Sequence, residues 1–121
     1  MNFISSKIIS TNNNITEVEL FDEGKISVPK TSSNASIGDS VQLGIRPEHL
    51  LINQDGDAKW ESKVFVVEKL GSGTFLYLEK DDEPLVVETV GDSNIKVGDT
   101  VKVGFTASRC HLFGQDKNAF K

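Results

Sequence analysis

Apolar residues along the chain alternate with polar ones in short runs that turn-forming residues separate. In the second half the runs cover residues 64–67, 74–78 and 85–87, with glycines at 71 and 73 and a charged stretch at 79–83 between them. Alternation over such short runs is typical of β-strands. No longer segment shows helical periodicity, so the pattern predicts an all-β chain with at most short helical turns near residues 46–51 and 108–112.

The first half shows a fainter copy of the same scheme. Runs at residues 3–9, 15–21 and 25–28 are separated by an asparagine-rich turn and by Asp22-Glu23-Gly24. Each half therefore offers three short strands, followed by a turn and a fourth strand. Strands in this number and at this spacing indicate a small closed barrel or a sandwich.

One segment of the sequence occurs twice. Residues 37–45 (IGDSVQLGI) recur as residues 97–105 (VGDTVKVGF). A repeated unit of this kind usually completes one core that neither copy could bury alone. We therefore predict a single domain over residues 1–121, built from two β units of about 3–51 and 60–113. Gly38 and Gly98 would take positive φ at the turns, and Gly44 and Gly104 would mark the same close approach made twice.

Composition and charge exclude several classes of function. The chain has 121 residues, a net charge of -5 and a pI near 5.0, and its 13 basic residues form no run. Nucleic-acid binding depends on clustered Lys and Arg, so this balance argues against it. A single cysteine, Cys110, rules out an internal disulfide and fits a reducing compartment. No stretch approaches the roughly 20 apolar residues of a membrane span, so we expect a cytoplasmic protein without direct membrane insertion.

Candidate catalytic, cofactor and metal residues do not form known motifs. No nucleophile elbow or Walker-type lysine is present, and Gly71-Ser72-Gly73 suits a hairpin turn. His49, Cys110 and His111 fall short of the four ligands of structural zinc, and we expect both histidines to pack with their ring nitrogens bonded to backbone. The charged stretch near residue 82 is typical of a solvated turn. The sequence therefore predicts no catalytic residue, no metal, no cofactor and no enzyme activity.

The segment Arg46-Pro47-Glu48 differs from these candidates because its backbone is restrained. Pro47 fixes its own φ and biases Arg46 to an extended geometry. The strand would end there at a rigid corner from which Arg46 and Glu48 project. One interpretation is an intramolecular Arg–carboxylate clamp across the two halves. The other is an interface with another protein.

The segment 44–50 (GIRPEHL) is specific enough to carry a resemblance. With MNF at residues 1–3, VVEKLG at 66–71 and RCHLF at 109–113, the chain resembles the C-terminal regulatory domain of ATPase subunits of carbohydrate ABC importers of the maltose-transporter type. That domain is a transport-associated OB (TOBE) domain. The resemblance covers nearly the whole chain and implies an OB-fold-like small barrel. It also implies an N-terminal ATPase domain, absent from this chain, that would bind ATP and Mg²⁺.

The same resemblance implies partners and a regulatory surface. A second copy of the subunit would form a homodimer, regulatory proteins would contact the domain, and the transmembrane permease would be reached through the ATPase domain at the cytoplasmic face of the membrane. The matching regulatory positions are Phe3, Gly38, Gly44, Glu68, Gly104 and Phe113, to which the corner adds Arg46 and Glu48. Residues 25–28 lack an aromatic found in the maltose type, which weakens the case for maltose-specific regulation.

A second hypothesis is a small-ligand module for an oxyanion or a sugar, since related TOBE domains bind oxyanions such as molybdate. Such a site needs convergent backbone amides, hydroxyls or lysines. Ser72, Thr74 and Lys102 are too scattered along the sequence to favour it.

Overall fold

The described residues of the chain form β-strands joined by turns. The computed structural model describes residues 1–12, 14–20, 24–32, 35–54, 56–71, 73–80, 83–90, 94–114 and 118–120. Within these ranges the strands are β1 (Asn2–Thr11), β2 (Thr16–Glu19), β3 (Lys25–Val28), β4 (Ser40–Ile45), β5 (Leu51–Ile52), β6 (Ala58–Leu70), β7 (Gly73–Leu78), β8 (Leu85–Val90), β9 (Thr100–Phe105) and β10 (His111–Phe113). Two 3₁₀ turns occupy Pro47–His49 and Ala107–Arg109. The all-β prediction is confirmed.

The strands form two curled antiparallel sheets of five, each a half-barrel. The first has the order β10-β4-β1-β2-β3, and the second has the order β5-β9-β6-β7-β8. Strand β5 follows the first half of the chain but pairs with β9, and β10 follows the second half but pairs with β4. The two halves therefore exchange their last strands, so neither sheet is complete without the other half.

The repeat in sequence is a repeat in structure. Lys7 pairs with Ser40 in the first sheet, as Lys63 pairs with Thr100 in the second. The third strand of each half also packs against the 3₁₀ turn of the other, β3 against Ala107–Arg109 and β8 against Pro47–His49. The two sheets are thereby related by an approximate two-fold arrangement.

Both Gly-Asp turns have the geometry that the sequence predicts. Gly38 has φ of 93° and Gly98 has φ of 97°. The carboxylate of Asp39 accepts a hydrogen bond from the Ser36 amide at 2.9 Å, and that of Asp99 accepts one from the Lys96 amide at 2.9 Å. Each turn thus leads the chain into β4 or β9, the strand that pairs with the central strand of its sheet, β1 or β6.

The core lies between the concave faces of the two sheets and draws on both. In β1 the alternation buries Ile4 and Ile8, and the matching strands bury Leu43, Val103 and Phe105. These side chains belong to one continuous cluster of buried residues. Inner and outer positions alternate along each strand, so the side chains between the buried ones lie on the convex face of each sheet, where another molecule can reach them. In the described ranges no helix is long and apolar enough to cross a membrane.

Candidate functional site

Three residues singled out from the sequence meet on the convex face of the first sheet. Phe3 of β1 lies opposite Gly44 of β4, and Phe113 projects from neighbouring β10. The two phenylalanine rings make an edge-to-face contact with centroids 5.6 Å apart and an interplanar angle of 68°. Such a pair contributes about 0.5–1.5 kcal/mol beyond the area it buries. We call Met1, Phe3, Gly44 and Phe113 the aromatic cluster.

Gly44 lies beneath the side chains of this cluster. A Cβ atom at this position would lie 2.7 Å from Met1 Sδ and 2.9 Å from Phe113 Cε2, closer than real contacts allow. Gly44 therefore lets the side chains of the aromatic cluster lie flat on the backbone. The close approach expected at Gly44 is real, but it is made by the side chains of Met1, which precedes β1, and of Phe113 in β10.

The aromatic cluster is open to solvent. Met1 is 48% exposed and Phe3 is 36% exposed, although both are large and apolar. Scattered exposed apolar residues are ordinary, but contiguous ones mark surfaces that contact another molecule. Arg46, two residues beyond Gly44, is exposed beside the cluster. The arrangement is an apolar centre with a charged neighbour.

A groove with both polar and apolar lining adjoins the aromatic cluster at the first sheet, and Leu20, Val41 and Phe113 are its apolar residues. Its volume is about 600 Å³ and Phe113 stands at its rim. Side chains of β1, β2 and β4 line it, and those that face outward are all polar: Ser5, Lys7, Glu19, Ser40 and Gln42. We call this feature the outer groove.

Basic side chains gather on the other side of the cluster. Lys30 Nζ lies 3.0 Å from Nδ1 of His111, so Nδ1 accepts a hydrogen bond from the lysine ammonium only while the ring is neutral. Burial lowers the pKa of His111, and the positive charges of Lys30, Arg46 and His49 lower it further. The contact also joins the segment after β3 to β10, at the two edges of the curled first sheet.

The expectation about the two histidine rings is wrong. The histidine rings were expected to bond with backbone, but His111 meets Lys30, and Nδ1 of His49 is buried without a hydrogen-bond partner in the described chain. Across the described residues, Arg46 also makes no ion pair with a carboxylate. No clamp of this kind joins Arg46 to a described carboxylate, and Arg46 is exposed at the surface.

Cys110 has neither the exposure nor the acidity of a reactive thiol. Its side chain is fully buried, and its Sγ donates to the Thr106 carbonyl at 3.3 Å. Burial, followed by the negative charge of Asp57, raises the pKa of Cys110 to about 12, against a smaller opposing effect of Lys30. A thiol of this kind is a packed core residue. The described ranges also contain no group of three or more His, Cys, Asp or Glu residues that could hold a metal ion.

The remaining predicted interface residues lie apart from the aromatic cluster. Glu48 is exposed in the first 3₁₀ turn, and Gly38 lies in the turn that precedes β4. Glu68 is exposed on β6, opposite Phe75, and Gly104 is buried in β9 opposite Lys59. Both belong to the second sheet. The structure thus gathers Phe3, Gly44, Arg46 and Phe113, and separates them from Glu68 and Gly104.

Sequence reasoning missed Met1, Asn2 and Lys30. Met1 precedes the first strand, and Lys30 follows β3, so neither stands in a repeating pattern. Asn2 had a usable signal, because it shares the inward alternation of Ile4 and Ile8. A polar side chain at a buried strand position needs a hydrogen-bond partner, and Asn2 finds one in the second sheet, at Val86. Ser72, Asp81 and Asp82 lie outside the described residues.

Comparison with known families shows which family this chain belongs to. A family model described as TOBE domain matches residues 43–113, and one described as MalK OB fold domain matches residues 1–50. The chain belongs to the TOBE domain family. The resemblance drawn from residues 44–50 is confirmed. The two matched models are a TOBE domain and an OB fold, and neither is an ATPase domain.

Curated relatives and a solved structure extend the comparison. The maltose/maltodextrin import ATP-binding protein MalK of Vibrio cholerae is 37% identical to this TOBE domain, and the match covers 98% of this chain and 32% of the relative. The MalK protein of Salmonella typhi is 36% identical, and the match covers 98% of this chain and 33% of the relative. The chain therefore spans about one third of the length of these relatives. A structure of ModG, described as a cytoplasmic molybdate-binding protein, superposes with a TM-score of 0.77 at 12% identity, covering 92% of this chain and 94% of that one. That likeness shows the shared fold.

Proposed function

We propose that this TOBE domain is the regulatory and dimerisation domain of the ATP-binding subunit of a sugar ABC importer of the maltose type. The observation that carries the proposal is the identity of 36–37% to MalK proteins from several Vibrio species across 98–100% of the chain. The similarity thus extends over the whole domain rather than over one motif. The partners are a second copy of the subunit and regulatory proteins.

Catalysis in such a subunit belongs to a separate ATPase domain. That domain would bind ATP and Mg²⁺ and contact the transmembrane permease, while the TOBE domain contributes a surface. The subunit would lie at the cytoplasmic face of the membrane as a peripheral part of the transporter. The closed β-framework suits this division, because a rigid domain can transmit contact with a partner without taking part in the reaction.

The aromatic cluster is the part of the surface that we assign to partner contact. Buried aromatic side chains at the centre of an interface carry most of its binding energy, and charged groups at the rim add specificity. Phe3 and Phe113 supply the aromatic centre, and Arg46 supplies a charge beside it. Glu48 lies two residues farther along the chain, in the first 3₁₀ turn.

Sedimentation equilibrium of the 121-residue chain tests the dimer role with a matched pair of variants. Phe3 and Phe65 are phenylalanines of similar exposure, 36% and 40%, on different sheets. We expect Phe3→Ser to weaken self-association by roughly tenfold or more, as the loss of an interface anchor does, and Phe65→Ser to leave it unchanged. Equal effects of the two variants would place the contact elsewhere.

The regulatory role is tested in the intact subunit. Removing the TOBE domain should weaken association between subunits and abolish the inhibition of transport by regulatory proteins, while ATP hydrolysis by the isolated ATPase domain continues. The proposal fails if subunit association and transport regulation are the same with and without the domain.

A further inference from the structure

The outer groove is distinct from the aromatic cluster in its chemistry. Its outward side chains are the hydroxyls of Ser5 and Ser40, the carboxamide of Gln42, the ammonium of Lys7 and the carboxylate of Glu19. They come from three adjacent strands, because Ser5 lies opposite Gln42 and Lys7 lies opposite both Ser40 and Glu19. The register of the sheet therefore fixes all five in one array.

These polar groups are not used by the fold. In the described part of the chain, none of the five side chains makes a hydrogen bond or an ion pair. The neighbouring Ser6, on the concave side, is by contrast satisfied, since its hydroxyl donates to the Ile4 carbonyl. The five groove side chains thus have unpaired donors and acceptors in the described chain, whereas the Ser6 hydroxyl on the opposite face of β1 is hydrogen-bonded.

The balance of charge in the groove favours a neutral ligand. Lys7 and Glu19 are directly opposite each other, so their charges cancel at a distance. An anion would meet the Glu19 carboxylate, and a cation would meet the Lys7 ammonium. Hydroxyls and a carboxamide both donate and accept, which matches a ligand whose own groups do both.

The array is repeated only in part, because Lys63, Thr100 and Glu79 stand in the second sheet at the places of Lys7, Ser40 and Glu19. The other positions differ. At the equivalent places in the second sheet, Glu61 replaces Ser5, Lys102 replaces Gln42, and Asn53 replaces Phe113. There the Asn53 side chain is already occupied, because its Oδ1 accepts from the Lys102 amide at 3.2 Å. The free polar groups with an aromatic ring at the rim are a property of the first sheet.

We propose that the outer groove binds a neutral, hydroxyl-rich ligand, a short oligosaccharide, with Gln42, Ser5 and Ser40 bonding its hydroxyls and Phe113 packing against one sugar face. The volume of about 600 Å³ lies within the range of small-molecule sites. This site goes beyond the proposed function, because it would let the domain sense a sugar directly rather than only contact proteins.

Titration of the isotope-labelled chain with maltotriose, followed by amide chemical shifts, tests the proposal. We expect saturable shifts centred on Ser5, Gln42 and Gly114. Gln42→Ala should weaken binding about three- to tenfold, the usual effect of one lost hydrogen bond. Glucose 6-phosphate should bind no more tightly than glucose, because its phosphate would face Glu19.

A pair of variants at equivalent strand positions provides the control. Ser40 and Thr100 are exposed hydroxyl residues at the start of β4 and β9. Ser40→Ala should weaken maltotriose binding, and Thr100→Ala should leave it unchanged. The proposal is overturned if no neutral sugar gives saturable shifts, if Gln42→Ala binds as the parent chain does, or if sulfate or molybdate gives the groove shifts in place of the sugars.

Discussion

The carboxamide of Asn2 holds the backbone of Val86, a residue 84 positions away on the other sheet. Its Nδ2 donates to the Val86 carbonyl at 2.7 Å, and its Oδ1 accepts from the Val86 amide at 2.9 Å. Asn2 is only 6% exposed. A single side chain therefore supplies a donor and an acceptor to strand β8, in the way that a neighbouring strand would.

Replacing Asn2 with alanine should destabilise the fold by about 1–3 kcal/mol, because both backbone groups of Val86 lose their partner in a partly buried place. The control is Asn12→Ala. Asn12 also makes two hydrogen bonds to backbone, but in an exposed turn, where water replaces them, so its loss should cost less than about 1 kcal/mol. Urea unfolding measures both, and equal costs would show that the bridge between sheets adds nothing.

The two Gly-Asp turns should respond alike to the same change. Gly38 and Gly98 have positive φ and no atom within 4 Å of an added Cβ, so only backbone strain opposes a side chain. We expect Gly38→Ala and Gly98→Ala each to cost about 1–2 kcal/mol. Gly71→Ala, also at an open position, should change the stability by less than about 0.5 kcal/mol. Thermal unfolding at one pH compares the three variants.

Strands and turns were predictable because their causes are local. Alternation of apolar residues fixes which face of a strand is buried, and a glycine before an aspartate fixes the turn geometry at residues 38 and 98. The repeat of residues 37–45 also predicted that Gly44 and Gly104 occupy equivalent strands, and β4 and β9 each stand second in the order of their sheets.

The exchange of β5 and β10 between the sheets could not be predicted, since strands of two and three residues are too short for their sequence pattern to indicate which strand they pair with.

For the site, the resemblance supplied Phe3, Gly44 and Phe113, but not their mutual contact. That contact depends on β10 joining β4, a pairing between distant parts of the chain. The meeting of Lys30 and His111 depends on the same pairing.

Cys110 should be unreactive in the folded protein. A pKa of about 12 leaves almost no thiolate at neutral pH, and the side chain has no exposed surface. We expect no measurable reaction with a disulfide reagent at neutral pH in buffer, and complete reaction in urea. Reaction of the native protein at the rate of the unfolded one would mean that the segment after the second 3₁₀ turn opens readily.

Stability should fall in mild acid because of His111. Burial and the charges of Lys30, Arg46 and His49 lower its pKa in the folded state below the ordinary 6.5. As the pH falls through about 6.5 the unfolded chain binds the proton first, which favours unfolding. The loss grows until the pH reaches the folded pKa, below which both states are protonated and the loss is constant.

Comparison of urea midpoints at about pH 7.5 and about pH 5.5, on either side of the ordinary histidine pKa, isolates this contribution. His111→Gln should show a smaller difference between the two conditions than the parent chain, because glutamine still accepts from Lys30 Nζ but does not titrate. Lys30→Gln should also reduce the difference while keeping the imidazole, since it removes the nearest positive charge. An unchanged difference in His111→Gln would mean that other groups set the acid sensitivity, and a reduction only in Lys30→Gln would implicate the lysine without the ring.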